Sequence, residues 1–269
     1  MRRIFGILSG RVGYADDRPK RKRLLHGQSI ILPCRVLCGM NDPGKMRVEA
    51  RIAGALYWVV IAGGLFAGAV QGFLTVPGDP AATAQAIAAQ EALWRWGIGV
   101  HLVYLAFPAI IMDVLLYRIF KPVEPTVALL ALASALTAGA VEGAALLQLY
   151  VPLAAGEAHA PLVALGERER QALAYLAVRL FETGSGFALL FFSGFCAATG
   201  ALILRSRLLP RAIGMMMLLA GICYFVSSLT TVVMPALAGL LLPWILLPCF
   251  VGEASLATWL LVKGVEMPD

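Results

Sequence analysis

Five ionisable side chains stand inside runs of sequence that are otherwise apolar: Asp113, Glu142, Arg179, Glu182 and Glu253. An exposed charge at bilayer depth costs at least about 2.5–3.5 kcal/mol, so such groups turn inward and find partners. Arg179 and Glu182 are three apart, share a helix face and can pair. Glu142 is placed by residue counting at a similar depth, where it could offer the same guanidinium fork a second carboxylate. Three readings follow: an ion pair that only holds a helix in place, an outward-opening polar cavity where a carboxylate changes protonation or holds a cation, or an Arg179 already among head groups. Glu253 has no Lys or Arg within a turn and falls near mid-membrane, which suits a proton relay or a neutral acid bonded to a helix backbone. Asp113 stands one turn before Tyr117 and Arg118, and His101 completes the polar set near the outer end of its own run. Together these six residues are the expected buried polar site.

Soluble-enzyme chemistry has no foothold. There is no phosphate-cradling glycine loop, no dinucleotide fingerprint, no HExxH and no GxSxG. The histidines are His26, His101 and His159, too scattered for haem or zinc. Cys34 and Cys38 lack nearby ligand partners, and Cys196, Cys223 and Cys249 stand singly in apolar runs. No cofactor, no metal and no catalytic set are expected.

The elements that must position these residues follow from composition. The chain has 269 residues, 60% hydrophobic and 14% charged, with a mean hydropathy of +0.81. Soluble domains carry about 25% charged residues, and a chain this poor in charge cannot cover its surface in water. Runs of roughly 20 apolar residues fit a hydrocarbon core of about 30 Å. Six spans can be drawn, at 50–74, 95–120, 126–151, 171–205, 211–234 and 239–264. The expected fold is all-α: a polytopic membrane protein of six transmembrane helices in one bundle, with short interfacial helices on the outer side. The fourth span is too long for one upright crossing and must tilt, break or extend out of the bilayer, with TGSG at 183–186 as the natural place to break.

Eight basic residues collect at one set of span ends: Arg47, Arg51, Arg118, Lys121, Arg205, Arg207, Arg211 and Lys263. Arg95, Arg168 and Arg170 lie at the other, diluted by acids. The basic side reads as cytoplasmic, with both termini there, in the inner membrane of a bacterium. Residues 1–45 hold ten Lys/Arg against three acids, leaving 12 and 13 for the rest, so the net charge of +6 belongs to this leader. Its PKRKR run at 19–23 reads as a solvated tail, and no nucleic acid is expected as partner. Met46 opens MRVEARIAGALYW, the pattern of a membrane protein's start. Residues 1–45 are therefore read as an extension, disordered or upstream of the true start, and 46–269 as the transmembrane domain.

Smaller signals refine this. Asp79 and Pro80 suit the N-cap and first turn of a short outer helix, with Trp94 and Trp96 expected at interfacial depth. Gly64, Gly68 and Gly72 line one face of the first span, for packing within the bundle or for a homodimer. Pro108, Pro243 and Pro248 predict kinks.

The blocks ARIAGALYWVVIAGG, VPGDPAATAQAIAAQEALWRWGI, LYRIFKPV, AVEGAALLQL, FALLFFSGF, SRLLPRAIGMMMLLAGICYF and GEASLATWLLVKGV follow in order. Together they resemble the bacterial integral membrane family known as domain of unknown function 4386, over about residues 47–265. The resemblance implies six transmembrane helices and no assigned activity; Asp113, Glu142 and Glu253 fall in stretches that match its pattern.

Three functional classes stay open. The favoured one is a binding or transport bundle for a small molecule, ion or proton, built on buried carboxylates. The next is a structural or accessory protein of the bilayer. The last is an intramembrane enzyme with Glu142 or Glu182 as base, for which only Ser185, Ser193 and Tyr150 offer themselves as partners.

Overall fold

The computed structural model describes residues 43–156, 162–242 and 244–265. The leader up to residue 42, residues 157–161 of the outer segment, Pro243 and residues 266–269 lie outside the described residues. Of those described, 89% are helical and none forms a strand. Helix α1 runs Pro43–Leu74, α2 Pro80–Ala89, α3 Glu91–Tyr104, α4 Ile110–Phe120 and α5 Pro125–Leu146. Then come α6 Val151–Gly156, α7 Glu167–Arg205, α8 Arg211–Val233, α9 Pro235–Leu241 and α10 Leu246–Val262.

Local chemistry sets several of these boundaries. Asp79 caps α2, its Oδ1 accepting from the Ala82 N–H at 2.9 Å, with Pro80 at the first helical position. Glu124 caps α5 through the Val127 N–H at 2.8 Å, and Pro125 follows it. Pro108 lacks an N–H, and around it the ladder widens into a π turn, Leu105–Ala109, which joins α3 to α4.

Five stretches are long and apolar enough to cross a bilayer: Gly44–Leu74, Glu91–Phe120, Pro125–Gly156, Glu167–Arg205 and Arg211–Val233. The sixth expected span is represented by α10, 17 residues long. Phe73, Phe107, Leu130, Ile222 and many other large apolar side chains stand exposed. Water would not tolerate so much apolar surface; lipid requires it. The chain is thus a membrane-embedded helical bundle.

The long helices follow one another around the bundle in chain order. Helix α1 packs on α3 and α4, α4 on α5, α5 on α7, α7 on α8 and α8 on α10, which returns to α1. Glycines permit the tightest approaches. A Cβ on Gly54 would stand 2.4 Å from the Leu261 backbone nitrogen of α10, and one on Gly252 would stand 3.0 Å from the Met216 carbonyl of α8. Along the predicted glycine face of α1, Gly63 and Gly64 lie against the Tyr104 ring, while Gly68 and Gly72 have nothing within 4 Å. One core, including Tyr57, Met112, Phe195, Cys196, Met217 and Leu256, fills the half towards the basic span ends. A second, including Leu74, Trp94, Leu149 and Phe181, fills the other.

One expectation needs correction. Helix α7 does not break at 183–186. Thr183 bonds back to the Arg179 carbonyl at 2.9 Å, and the missing side chain of Gly184 receives Ala145 of α5, so the small residues serve packing. At 39 residues the helix is about 58 Å long, so it extends beyond or tilts within a core of about 30 Å. Trp94 is buried within the bundle, and its indole N–H donates to the Leu149 carbonyl at 2.9 Å. Trp96 is the exposed one.

Candidate functional site

The tightest polar constellation surrounds Glu253 on α10. Its side chain is buried, and both carboxylate oxygens accept hydrogen bonds from neighbouring helices. The Tyr224 hydroxyl of α8 donates to Oε1 at 2.5 Å, and the Tyr57 hydroxyl of α1 donates to Oε2 at 3.2 Å. Gly54 and Gly252 explain why three helices can close on one carboxylate: they draw α1 and α8 against α10 near Glu253. Phe192 of α7 meets the Tyr224 ring edge-on at 5.5 Å, which helps to fix the phenol. Cys196 and Cys249 lie within electrostatic reach of the carboxylate. Among the described residues no Lys, Arg or His pairs with it.

Asp113 lies towards the basic ends, buried, with one carboxylate oxygen that has no hydrogen-bond partner among the described residues. It borders a cavity of about 10 Å³ shared with Tyr117, Thr199, Phe195 and Leu202. That is room for about one water-sized group. Arg118, one turn on, does not reach back to it. The guanidinium instead pairs with the buried Glu49 of α1 at 2.7 Å.

At the opposite end, Glu142 of α5 meets His101 of α3 and Ser185 of α7. The serine hydroxyl donates to Glu142 Oε1 at 3.0 Å. His101 Nε2 lies 3.1 Å from the same oxygen, yet its N–H direction misses it, and neither ring nitrogen has a hydrogen-bond partner among the described residues. The ring is wedged between Tyr104, stacked at 4.9 Å, and Phe181, edge-on at 5.8 Å. Because the carboxylate sits between serine and histidine, this is not the order in which a histidine activates a serine.

The expected site thus divides. Asp113, Glu253 and His101 are buried and Glu142 nearly so, but they occupy three separate places. Arg179 and Glu182 do pair, on the exposed side of α7, with 59% and 43% of their side chains accessible. Glu142 does not join them; its oxygen faces His101 and Ser185 instead. Ser185 and the pair lie at different heights along α7. Ser185 lies 20 residues before Arg205, a rise of about 30 Å, whereas Arg179 lies about 39 Å away.

Sequence reasoning missed Tyr57 and Tyr224, which lie in quoted blocks but were not singled out. The signal was Glu253 itself: a carboxyl with no basic residue within a turn must take its donors from other helices. Glu49, the partner of Arg118, was missed as an ordinary residue of a basic helix start. A further groove of about 310 Å³ opens between α2, α6 and α7, with Ile87, Leu153 and Ala174 in its floor and Gln85, Glu167 and Arg170 among its polar lining. Among the described residues, no three His, Cys, Asp or Glu side chains group so as to hold a metal ion.

No curated protein and no solved structure matches the chain. One family pattern does, over residues 52–264, a stretch that takes in Tyr57, His101, Asp113, Glu142, Tyr224 and Glu253. The chain belongs to the family described as domain of unknown function (DUF4386).

Proposed function

We propose that this protein is a binding or transport bundle for a small molecule or ion, coupled to buried carboxylates. One observation carries the reading: Glu253 and Asp113 are buried in the bundle with no cationic partner among the described residues. Ionisable groups at that depth are expensive, and those retained usually mark ion or proton pathways. The polar groups also stand at successive depths, Asp113 nearest the basic ends, Glu253 midway and Glu142 with His101 at the far end. We read α10, about 26 Å long, as the sixth span, the basic side as cytoplasmic, and the membrane as a bacterial inner membrane. Gly68 and Gly72, open on α1, leave space for a second copy.

The competing reading, an accessory protein of the bilayer, draws support from the cavity beside Asp113, which at about 10 Å³ admits nothing larger than about one water. A transporter would have to open further than this closed arrangement. Vesicles containing the full chain and a trapped pH dye, challenged with gradients of alkali cations and small amines, separate the two. Proton movement should occur with the wild type and fall at least about tenfold in Asp113→Asn/Glu253→Gln. A dye response equal to that of protein-free vesicles in every gradient would leave the accessory reading standing.

A further inference from the structure

The groups around Glu253 narrow what it can bind. Hard cations are held by several oxygen lone pairs converging on one point, about six to eight for calcium. Here the oxygens bonded to the carboxylate, the Tyr57 and Tyr224 hydroxyls, are donors that direct their hydrogens at it. The other polar neighbours are poor substitutes. Cys196 of α7 lies within electrostatic reach of the carboxylate, and Cys223 of α8 lies beside Cys249 of α10. Cys249, on the same helix as Glu253, turns its sulfur to the Ala220 and Ile245 carbonyls at 3.5 and 3.6 Å. Asp113, from α4, reaches this cluster only through its electrostatic influence on Tyr57. The set supplies protons and soft sulfur, not a shell of oxygen acceptors.

We propose that the ligand of Glu253 is a proton rather than a metal cation, and that Tyr57 and Tyr224 register its arrival. This rests on the buried-carboxylate reading above and names its ligand. The step is a simple transfer: a hydronium ion gives its proton to one carboxylate oxygen, leaving a carboxylic acid and water. That oxygen turns from acceptor to donor. As an acceptor it is now far weaker, which favours the facing phenol accepting instead of donating, or turning its O–H to another acceptor. Because Tyr57 belongs to α1 and Tyr224 to α8, one proton changes the contact of α10 with one of its two neighbours in the bundle. A proton also needs no open chamber, which suits a carboxylate enclosed by close helix approaches.

Infrared difference spectra of the full chain in lipid nanodiscs test this. The pH is lowered first with a bulky organic cation as the only counterion, then with sodium, potassium or calcium chloride. A carboxylic C=O band should grow with acid in the wild type and be missing in Glu253→Gln, with a midpoint that the salts leave in place. Tyr224→Phe keeps the carboxyl and loses one donor, and should change proton affinity by about tenfold. That variant carries the assignment if Glu253→Gln does not fold. A band erased by one metal cation at fixed pH would replace the proton by that metal and leave the carboxylate reading intact. Spectra unaltered by Glu253→Gln, or by Tyr224→Phe where the former does not fold, would overturn the proton site. Vesicles that move no solute, alongside a band that titrates, would remove transport and keep the proton.

Discussion

Glu253 and the Arg179–Glu182 pair look alike in the sequence, as charges embedded in apolar runs, and the structure treats them oppositely. The pair brings its own countercharge within one turn and stands exposed on α7. Glu253 has none and is buried, held by two neutral phenols from two other helices. A charge that satisfies itself locally makes few demands on the rest of the fold. A charge that cannot do so conscripts it: α1, α8 and α10 come together around Glu253, with glycines placed to let them.

The contrast can be tested by stability measured as thermal unfolding of purified protein in detergent. Gly54→Ala should cost most, about 3 kcal/mol, since its new Cβ meets the α10 backbone and pushes Tyr57 away from Glu253. Gly68→Ala, with nothing within 4 Å, is the matched control and should be neutral. Next comes Glu253→Ala, which leaves two interior phenols without their acceptor and should cost about 2–3 kcal/mol; a neutral result would mean that both hydroxyls have ready alternatives. Smallest are Arg179→Gln and Glu182→Gln, each within about 0.5 kcal/mol because exposed ion pairs contribute little. A loss of several kcal/mol from either would mean that α7 buries this pair against something outside the chain, and the contrast with Glu253 would collapse.

Much of the architecture was legible. Apolar runs of about span length, bounded by Asp79–Pro80 and Glu124–Pro125, announce their own helices because hydropathy and capping are local. The pairing of Arg179 with Glu182 was equally local. What could not be read was which helices meet, and therefore which side chains converge. Placing Glu142 by counting gave no azimuth, so its partners in the structure, His101 and Ser185, lost out to the guanidinium of Arg179. Tyr57 and Tyr224 were invisible for the same reason: nothing near them in sequence marks them as donors to a residue 196 or 29 positions away. The TGSG cluster misled because small residues both weaken a helix and admit a neighbour, and only the neighbour, Ala145, decides between the two.

The π turn at Leu105–Ala109 has an effect on azimuth. In an uninterrupted α-helix, His101 and Asp113, 12 residues apart, would point about 120° from one another. The wider turn takes up about one extra residue without a matching advance around the axis, and so cancels most of that difference. Both side chains are buried, one in each half of the bundle. Pro108 therefore acts less as a bend than as a phase shifter: it lets a single helix address the interior twice, at two depths, with two different chemistries.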